Sequence, residues 1–149
     1  MKCAFEMAIE IEKVKELERI KAEEERRIQY EQKLAEFYEN LEKIDSIVEK
    51  ALLKGKGKAE IMVDSCWSHN RDLDFYCFAE YDDSYTHKNG GHAYYYTKSI
   101  SEYFPLEKYV EYLKEHCYNV EVEPYSFIGY SSTGATKKTV HCKKMKISI

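Results

Sequence analysis

Glycine and proline are scarce: the 149 residues contain 6 of the first and 2 of the second, and from Ala4 to Lys54 there is neither. Nothing opposes helix across that stretch, and its Glu, Lys, Ala, Leu and Arg favour it. No apolar run approaches the ~18 residues that a membrane span needs, and the opening "MKCAFEMAIEIEKVKE" lacks the unbroken apolar stretch of a signal peptide, so a cytoplasmic protein is expected, with no membrane partner. The sequence also lacks G-x-S-x-G, H-E-x-x-H and a glycine-rich dinucleotide turn, which removes the motifs that would announce an enzyme. Its five cysteines (Cys3, Cys66, Cys77, Cys117, Cys142) are odd in number and scattered. Buried thiols in a reducing compartment fit that pattern better than a disulfide framework.

What is present divides the chain in two. Residues 1–54 read as one long amphipathic, coiled-coil-like helix, about 75 Å if continuous at ~1.5 Å per residue. Leu34, Phe37, Leu41, Ile44 and Val48 repeat at alternating spacings of 3 and 4 and form a seam suited to dimerisation. Met7, Ile11, Val14 and Leu17 form a second, shorter seam. A helix that docks with one half and pairs with the other satisfies both. The net charge of −4 lies in this part, since residues 1–53 carry ten basic against fourteen acidic side chains.

Residues 55–149 read as a small α+β domain. "GKGK" (Gly55 to Lys58) stops the helix. Ile61 and Val63 alternate as a strand, and in "LDFYCFAEY" Leu73, Phe75, Cys77, Ala79 and Tyr81 share one face. "THKNGGHAYYYT" carries a turn signal. Pro105 opens a helix that places Leu106, Tyr109, Val110, Leu113 and Cys117 on one stripe. Two final strands flank "GYSSTGATKK"; Pro124 belongs at an edge or bulge, and a phase change predicts a bulge near Lys143. The fold class is therefore α+β, in the order α-ββ(β)-α-ββ, with one antiparallel sheet. "FAEYDDS" (Phe78 to Ser84) and "FIGYSST" (Phe127 to Thr133) echo one another.

Several chemistries are testable against these residues. A phosphate-binding loop needs G-x-x-x-x-G-K-[ST] followed by a helix; here Ala135 stands where the lysine belongs and β-branched residues follow, so Ser131 to Gly134 reads as a turn. "CWSH" (Cys66, His69) has the side-chain types of a zinc half-site, with His87, His92, His116 and His141 as partners, but no second knuckle exists and adjacent His141 and Cys142 face opposite sides of a strand. No metal and no cofactor are expected, and a small metal-dependent enzyme ranks third among the readings. Cys66 or Cys77 with His69 or His92 and Asp82 or Asp83 can be drawn as a catalytic set, although convergence in space is not readable here.

The tyrosines stand out, 14 in all, seven of them between Tyr76 and Tyr103. Tyr94 and Tyr96 cannot share a strand face with Tyr95, so some reach the surface, where tyrosine suits recognition. Tyr76, Asp82, Asp83, Tyr85, Tyr94, Tyr95 and Tyr96 are the candidate partner-binding residues. Lys137, Lys138, Lys143, Lys144 and Lys146 offer an alternative, stacking of bases beside a cationic edge, so nucleic acid is a second class of partner. Arg71 is the only arginine of this region, which disfavours a broad nucleic-acid groove.

The stretch "EYLKEHCYNVEVEPYSFIGYSSTGATKKTVHCKKMKISI", following a charged N-terminal helix, resembles small accessory proteins encoded by phages and prophages of low-GC Gram-positive bacteria, chiefly over residues 100–149. Some proteins of that kind are anti-CRISPR or other anti-defence inhibitors that occupy a host nuclease or its guide complex. The resemblance implies a non-enzymatic inhibitor or adaptor whose partner is a host protein or ribonucleoprotein complex, and the seam of the N-terminal helix makes a homodimer the expected state. It carries over no functional residue.

Overall fold

The computed structural model describes residues 1–65, 68–81, 85–86, 92–93, 97–130 and 137–149. Helix α1 runs from Ala4 to Lys54, followed by β1 (Lys58–Asp64), α2 (Ser68–Asp72), β2 (Phe75–Tyr81), β3 (Tyr85–Thr86), β4 (His92–Ala93), β5 (Thr97–Ser99), β6 (Phe104–Pro105), α3 (Leu106–Glu115), β7 (Asn119–Tyr130) and β8 (Lys137–Ser148). The class is α+β, as the sequence predicts. Met1–Glu36 and Phe37–Ile149 form two units.

In the first unit, helix is held by its own turns. Arg19 reaches Glu16 and, at 2.7 Å, Glu23; Arg27 reaches Glu24 and, at 2.8 Å, Glu31. Exposed pairs at these spacings are screened by water and add little to the helix's own hydrogen bonds.

The second unit has a six-stranded antiparallel sheet in the order β5-β2-β1-β8-β7, with β6 also on β2. Register explains which side chains share a face. Ala59 opposes Ile147, which opposes Val120, and Ile61 opposes Met145, which opposes Val122. These rows make the core face, with Val63 and Met145 fully buried. The β7–β8 ladder runs unbroken from Asn119↔Ser148 to Tyr130↔Lys137, so the bulge predicted near Lys143 does not occur. The phase change has a simpler cause: Cys142 and Met145 differ by an odd number of residues and face opposite sides. A register shift does occur along β2, whose pairing with β5 and β6 slips by two residues. There Phe78 donates its N–H to Ser101 Oγ at 2.7 Å and accepts from Ile100 N at 2.9 Å. Pro124 lies on β7, the terminal strand of the order, in keeping with its missing donor.

β2 departs from the sequence reading. Its five residues Phe75 to Ala79 are all buried, so both faces are covered instead of one.

Both long helices end in the same way. Gly57 N donates to Leu52 O (2.8 Å) and Lys56 N to Leu53 O (3.3 Å); Tyr118 N donates to Leu113 O (3.1 Å) and Cys117 N to Lys114 O (3.0 Å). These are paired terminal bonds of the Schellman type, with Lys56 (φ 54°) and Cys117 (φ 68°) in the left-handed position usually given to glycine. Cys117 is therefore exposed beyond the end of α3 and does not belong to its buried stripe. Gly55 is required for a different reason, since a Cβ there would lie 1.8 Å from the Lys58 carbonyl oxygen.

Pro105 sits at the N-cap of α3 and offers no side-chain cap. Asp74 supplies one from the start of β2: its carbonyl accepts from Leu106 N (2.9 Å) and its Oδ2 from Glu107 N (3.0 Å). Asp74→Ala is expected to cost about 1 kcal/mol by removing that carboxylate cap. Lys56→Gly should add about 1 kcal/mol by relieving the left-handed backbone. Urea midpoints that move in neither direction would contradict both assignments.

Candidate functional site

Three regions carry the chemistry of the chain: the tyrosine cluster of α3, the outer face of the sheet, and the exposed surface of the first unit. Each is assembled by a different element.

On α3, positions 109 and 112 lie one turn apart, and both phenols reach one carboxylate of α1. Tyr109 Oη donates to Asp45 Oδ1 at 2.8 Å and Tyr112 Oη to Asp45 Oδ2 at 2.7 Å. Tyr109 is fully buried, with its ring edge-on to Phe37 (6.1 Å) and Phe78 (6.2 Å) and tilted against Phe104 (4.9 Å). Burial, then the Asp45 bond, pushes the Tyr109 phenol far above its ordinary value. The Asp45 bond, then burial, pushes Tyr112 up to about 12. His116 donates from Nδ1 to the Tyr112 carbonyl at 2.8 Å. This cluster binds the end of α1 to α3 and the sheet, and its role is structural.

The same packing occupies most of the expected dimerisation seam. Phe37, Ile44 and Val48 are buried within the second unit, while Leu34 and Leu41 are half-buried. A side chain enclosed by its own domain has no surface left for a second copy.

The outer face of the sheet alternates charge by register. Glu60 and Glu121 flank Lys146 from the two neighbouring strands, and Met62 and Glu123 flank Lys144. Lys146 Nζ lies 3.2 Å from Glu123, and Lys144 Nζ 3.8 Å from Glu60 and 4.4 Å from the centre of the Tyr125 ring. Glu123, with Glu60 and Glu121 behind it, raises the Lys146 ammonium above its ordinary range. Lys143 faces the other way and lies over Tyr76, 4.8 Å from the ring centre. Among the described lysines of β8, Lys144 and Lys146 are paired with carboxylates and Lys143 lies on the other face over a ring, so these three do not form one cationic strip. Lys137 and Lys138 begin β8, and their side chains lie outside the described residues.

Of the candidate recognition residues, Tyr76 is buried at 7% exposure beneath Lys143 and belongs to the core. Asp82, Asp83, Tyr94, Tyr95 and Tyr96 lie outside the described residues, and Tyr85 is described only as backbone in β3. Sequence reasoning passed over Tyr125 and Phe127 of β7, which stand beside Tyr81. Tyr81 meets Phe127 edge-on at 4.5 Å, which joins the tyrosine of one echoed motif to the phenylalanine of the other. Their shared strand-end spacing was the available signal.

The other candidate chemistries also have places. Lys137 onward is strand and not helix, so the phosphate-loop geometry fails. Cys77 is buried, with Sγ 3.5 Å from the Asp64 carbonyl and 3.4 Å from Ser99 Oγ. Burial raises the half-buried Cys142 thiol, against a hydrogen bond from Tyr81 that lowers it. Cys66, His69 and His92 side chains lie outside the described residues. Among the described residues no three His, Cys, Asp or Glu side chains are grouped to hold a metal ion, and no helix is long and apolar enough to cross a membrane.

β1 and β2 part company at one end. They pair only from Met62↔Ala79 to Asp64↔Cys77; beyond that β1 continues on β8 while β2 continues on β5 through Glu80↔Lys98 and Tyr81↔Thr97. A cleft of about 680 Å³ occupies the gap. Helix α1 contributes Lys50 and Lys54 to it, and the outer sheet face contributes Tyr125, Phe127 and Lys144.

The first unit leaves large apolar side chains open to water. Phe5, Met7, Ile9, Ile11, Val14, Leu17, Ile20 and Ile28 are 42% to 74% exposed.

Searches against protein-family models, curated proteins and solved structures found no match to this chain.

Asp45→Ala should cost about 2–4 kcal/mol, since two hydrogen bonds to a charged acceptor are lost and one phenol is left buried without its partner. The raised phenols also set a pH dependence. Unfolded tyrosine ionises near ~10, whereas folded Tyr112 holds its proton to about 12, so the stability it contributes is complete below pH ~10 and declines as pH rises toward 12. Tyr112→Phe should therefore show a shallower alkaline fall in urea midpoint than the parent protein. Equal slopes would remove Tyr112 as the cause.

Proposed function

We propose that this protein is a non-enzymatic protein-binding factor that assembles through the exposed helical surface of residues 5–28. The observation that supports this reading is the set of eight large apolar side chains left open to water on a segment with ion pairs but no core of its own. Covering a half-exposed side chain of this size contributes about 1 kcal/mol, so eight per chain make association favourable even after its entropic cost.

Their placement bears on the assembly. At 100° per residue, Met7, Ile11 and Val14 fall together, and Phe5, Ile9 and Ile20 fall together on nearly the opposite side. One straight seam covers only one of these sets. A bundle of more than two helices covers both, and copies of this chain are the first source of those helices. The resemblance to phage accessory proteins makes a host nucleic-acid-processing complex the target on which the assembled domain acts. Direct nucleic-acid binding is the weaker reading, because Lys144 and Lys146 of β8 are paired with carboxylates.

Sedimentation equilibrium tests the proposal. The parent protein should sediment as at least three 17.7 kDa chains. Paired substitutions Ile11→Asp with Val14→Asp, and Ile9→Asp with Ile20→Asp, should each reduce that mass while leaving the unfolding midpoint of the second unit in place. Leu41→Asp with Ile44→Asp should instead lower stability. A parent protein that stays monomeric at every concentration overturns self-association.

A further inference from the structure

We infer that two adjoining depressions toward the C-terminal ends of α1 and α3 bind a segment of a partner protein that presents an arginine beside a large apolar side chain. The smaller depression is a pocket of about 80 Å³ walled by the rings of Tyr112, His116 and Tyr118, with the carboxylates of Asp45 and Glu49 on its α1 side. The Tyr112 and His116 ring centres are 4.3 Å apart, and the Tyr112 hydroxyl donates to Asp45 Oδ2 at 2.7 Å. That bond and burial are the main causes of the raised Tyr112 phenol, and the charges of Asp45 and Glu49 add to it, which places both carboxylates within electrostatic reach of the ring. Glu49 follows Asp45 by one helical turn, so the two share a face of α1. No lysine or arginine lines the pocket. Among the described residues, none forms an ion pair with Asp45 or Glu49.

Two carboxylates without a counter-ion, walled by aromatic rings, select a cation. Among the described residues no three His, Cys, Asp or Glu side chains are grouped to hold a metal ion, so the fitting cation is organic. A guanidinium suits these walls: its plane stacks on tyrosine and histidine rings, its fork of N–H donors reaches carboxylates, and it sheds water more readily than an ammonium. Each Asp45 oxygen accepts one phenol proton and keeps a lone pair for a second donor, so the ligand leaves the structural bonds in place. At about 30 Å³ per water-sized group, the pocket holds a guanidinium head and little more. Glu49 and Tyr118 also line the second depression, an apolar groove of about 480 Å³. Leu53 and Ile149 line it too, and they are 81% and 82% exposed. A chain whose arginine enters the pocket thus lays its neighbouring side chain on the groove. Lys56 lines the groove and not the pocket, which confines the preference for positive charge to the pocket. For the identity of its partner the inference rests on the reading of this protein as a binder of nucleic-acid-processing machinery, whose surfaces carry arginine to hold phosphates.

Fluorescence polarisation of a fluorescein-labelled Gly-Leu-Arg-Leu-Gly peptide, titrated with the full chain, tests the inference. Three control peptides carry citrulline for the arginine, lysine for the arginine, or glycine for both leucines. The parent peptide should bind saturably, and each control about fivefold more weakly or worse. Glu49→Gln and Tyr118→Leu should each weaken the parent peptide about threefold. Leu53→Ser should weaken the parent peptide and leave the glycine control unchanged. Glu49 and Leu53 are exposed, so their variants should keep the unfolding midpoint, and the midpoint of Tyr118→Leu is recorded so that a misfolded variant is recognised. Glu60→Gln, on the outer face of the sheet, should change nothing. A parent peptide that fails to saturate at millimolar concentration overturns the inference, as does a citrulline peptide that binds equally well. A loss with Glu49→Gln that Glu60→Gln reproduces also overturns it, since that reports only general attraction to an acidic chain. Because no residue of either depression lies in positions 5–28, this outcome and that of the association test are independent.

Discussion

A buried phenol needs a hydrogen-bond partner, and the way Tyr109 obtains one organises the second unit. Its ring is enclosed by Phe37, Phe78 and Phe104, which leaves its hydroxyl no route to water. Asp45 of α1 accepts that proton, and its second oxygen accepts from Tyr112. A carboxylate brought into an aromatic environment is costly unless both oxygens are satisfied, so the arrangement tolerates little sliding of α1 along α3. With the register of α1 fixed in this way, Phe37, Ile44, Val48 and Leu52 are committed to the domain. The apolar side chains from Phe5 to Ile28 stay open to water.

The helix, the main strands and their order were legible because they are local: an uninterrupted run of helix formers, period-two alternation, and glycine at Gly55 and Gly57. The departures are all non-local. β2 alternates like a half-exposed strand, yet it lies between β1 on one edge and β5 and β6 on the other, and both its faces are covered. Cys117 continues a helical stripe in spacing, but the chain turns left-handed there, and the sequence offers no glycine to mark it. Lys144 and Lys146 of β8 read as part of a cationic edge because their carboxylate neighbours, Glu60, Glu121 and Glu123, are distant in sequence and come beside them only through strand register. Tyr76 reads as one of a set of recognition tyrosines, and pairing with β6 and the approach of Lys143 place it inside.

Asp74 shows the same lesson at a helix terminus. Pro105 is well suited to starting a helix but can neither donate a backbone proton nor cap with its side chain. The missing cap comes from a residue 31 positions earlier whose backbone adopts φ 63°, so that its carbonyl and carboxylate both face α3. An aspartate before a strand gives no local sign of this duty.

The cleft follows from competition for strand edges. β8 is twelve residues long and pairs along its full length with β7, and a long two-stranded ribbon twists and coils strongly. β1 keeps six residues on β8 and so follows that twist. β2 is held on its other edge by β5 and β6, across the register slip at Ser101, and follows a different course. The two strands can agree over only three residue pairs, and beyond them they separate. A sheet made of one twisted ribbon and one strand tied to a slipped edge must open somewhere, and the opening falls where Tyr125, Lys144 and the last turns of α1 converge.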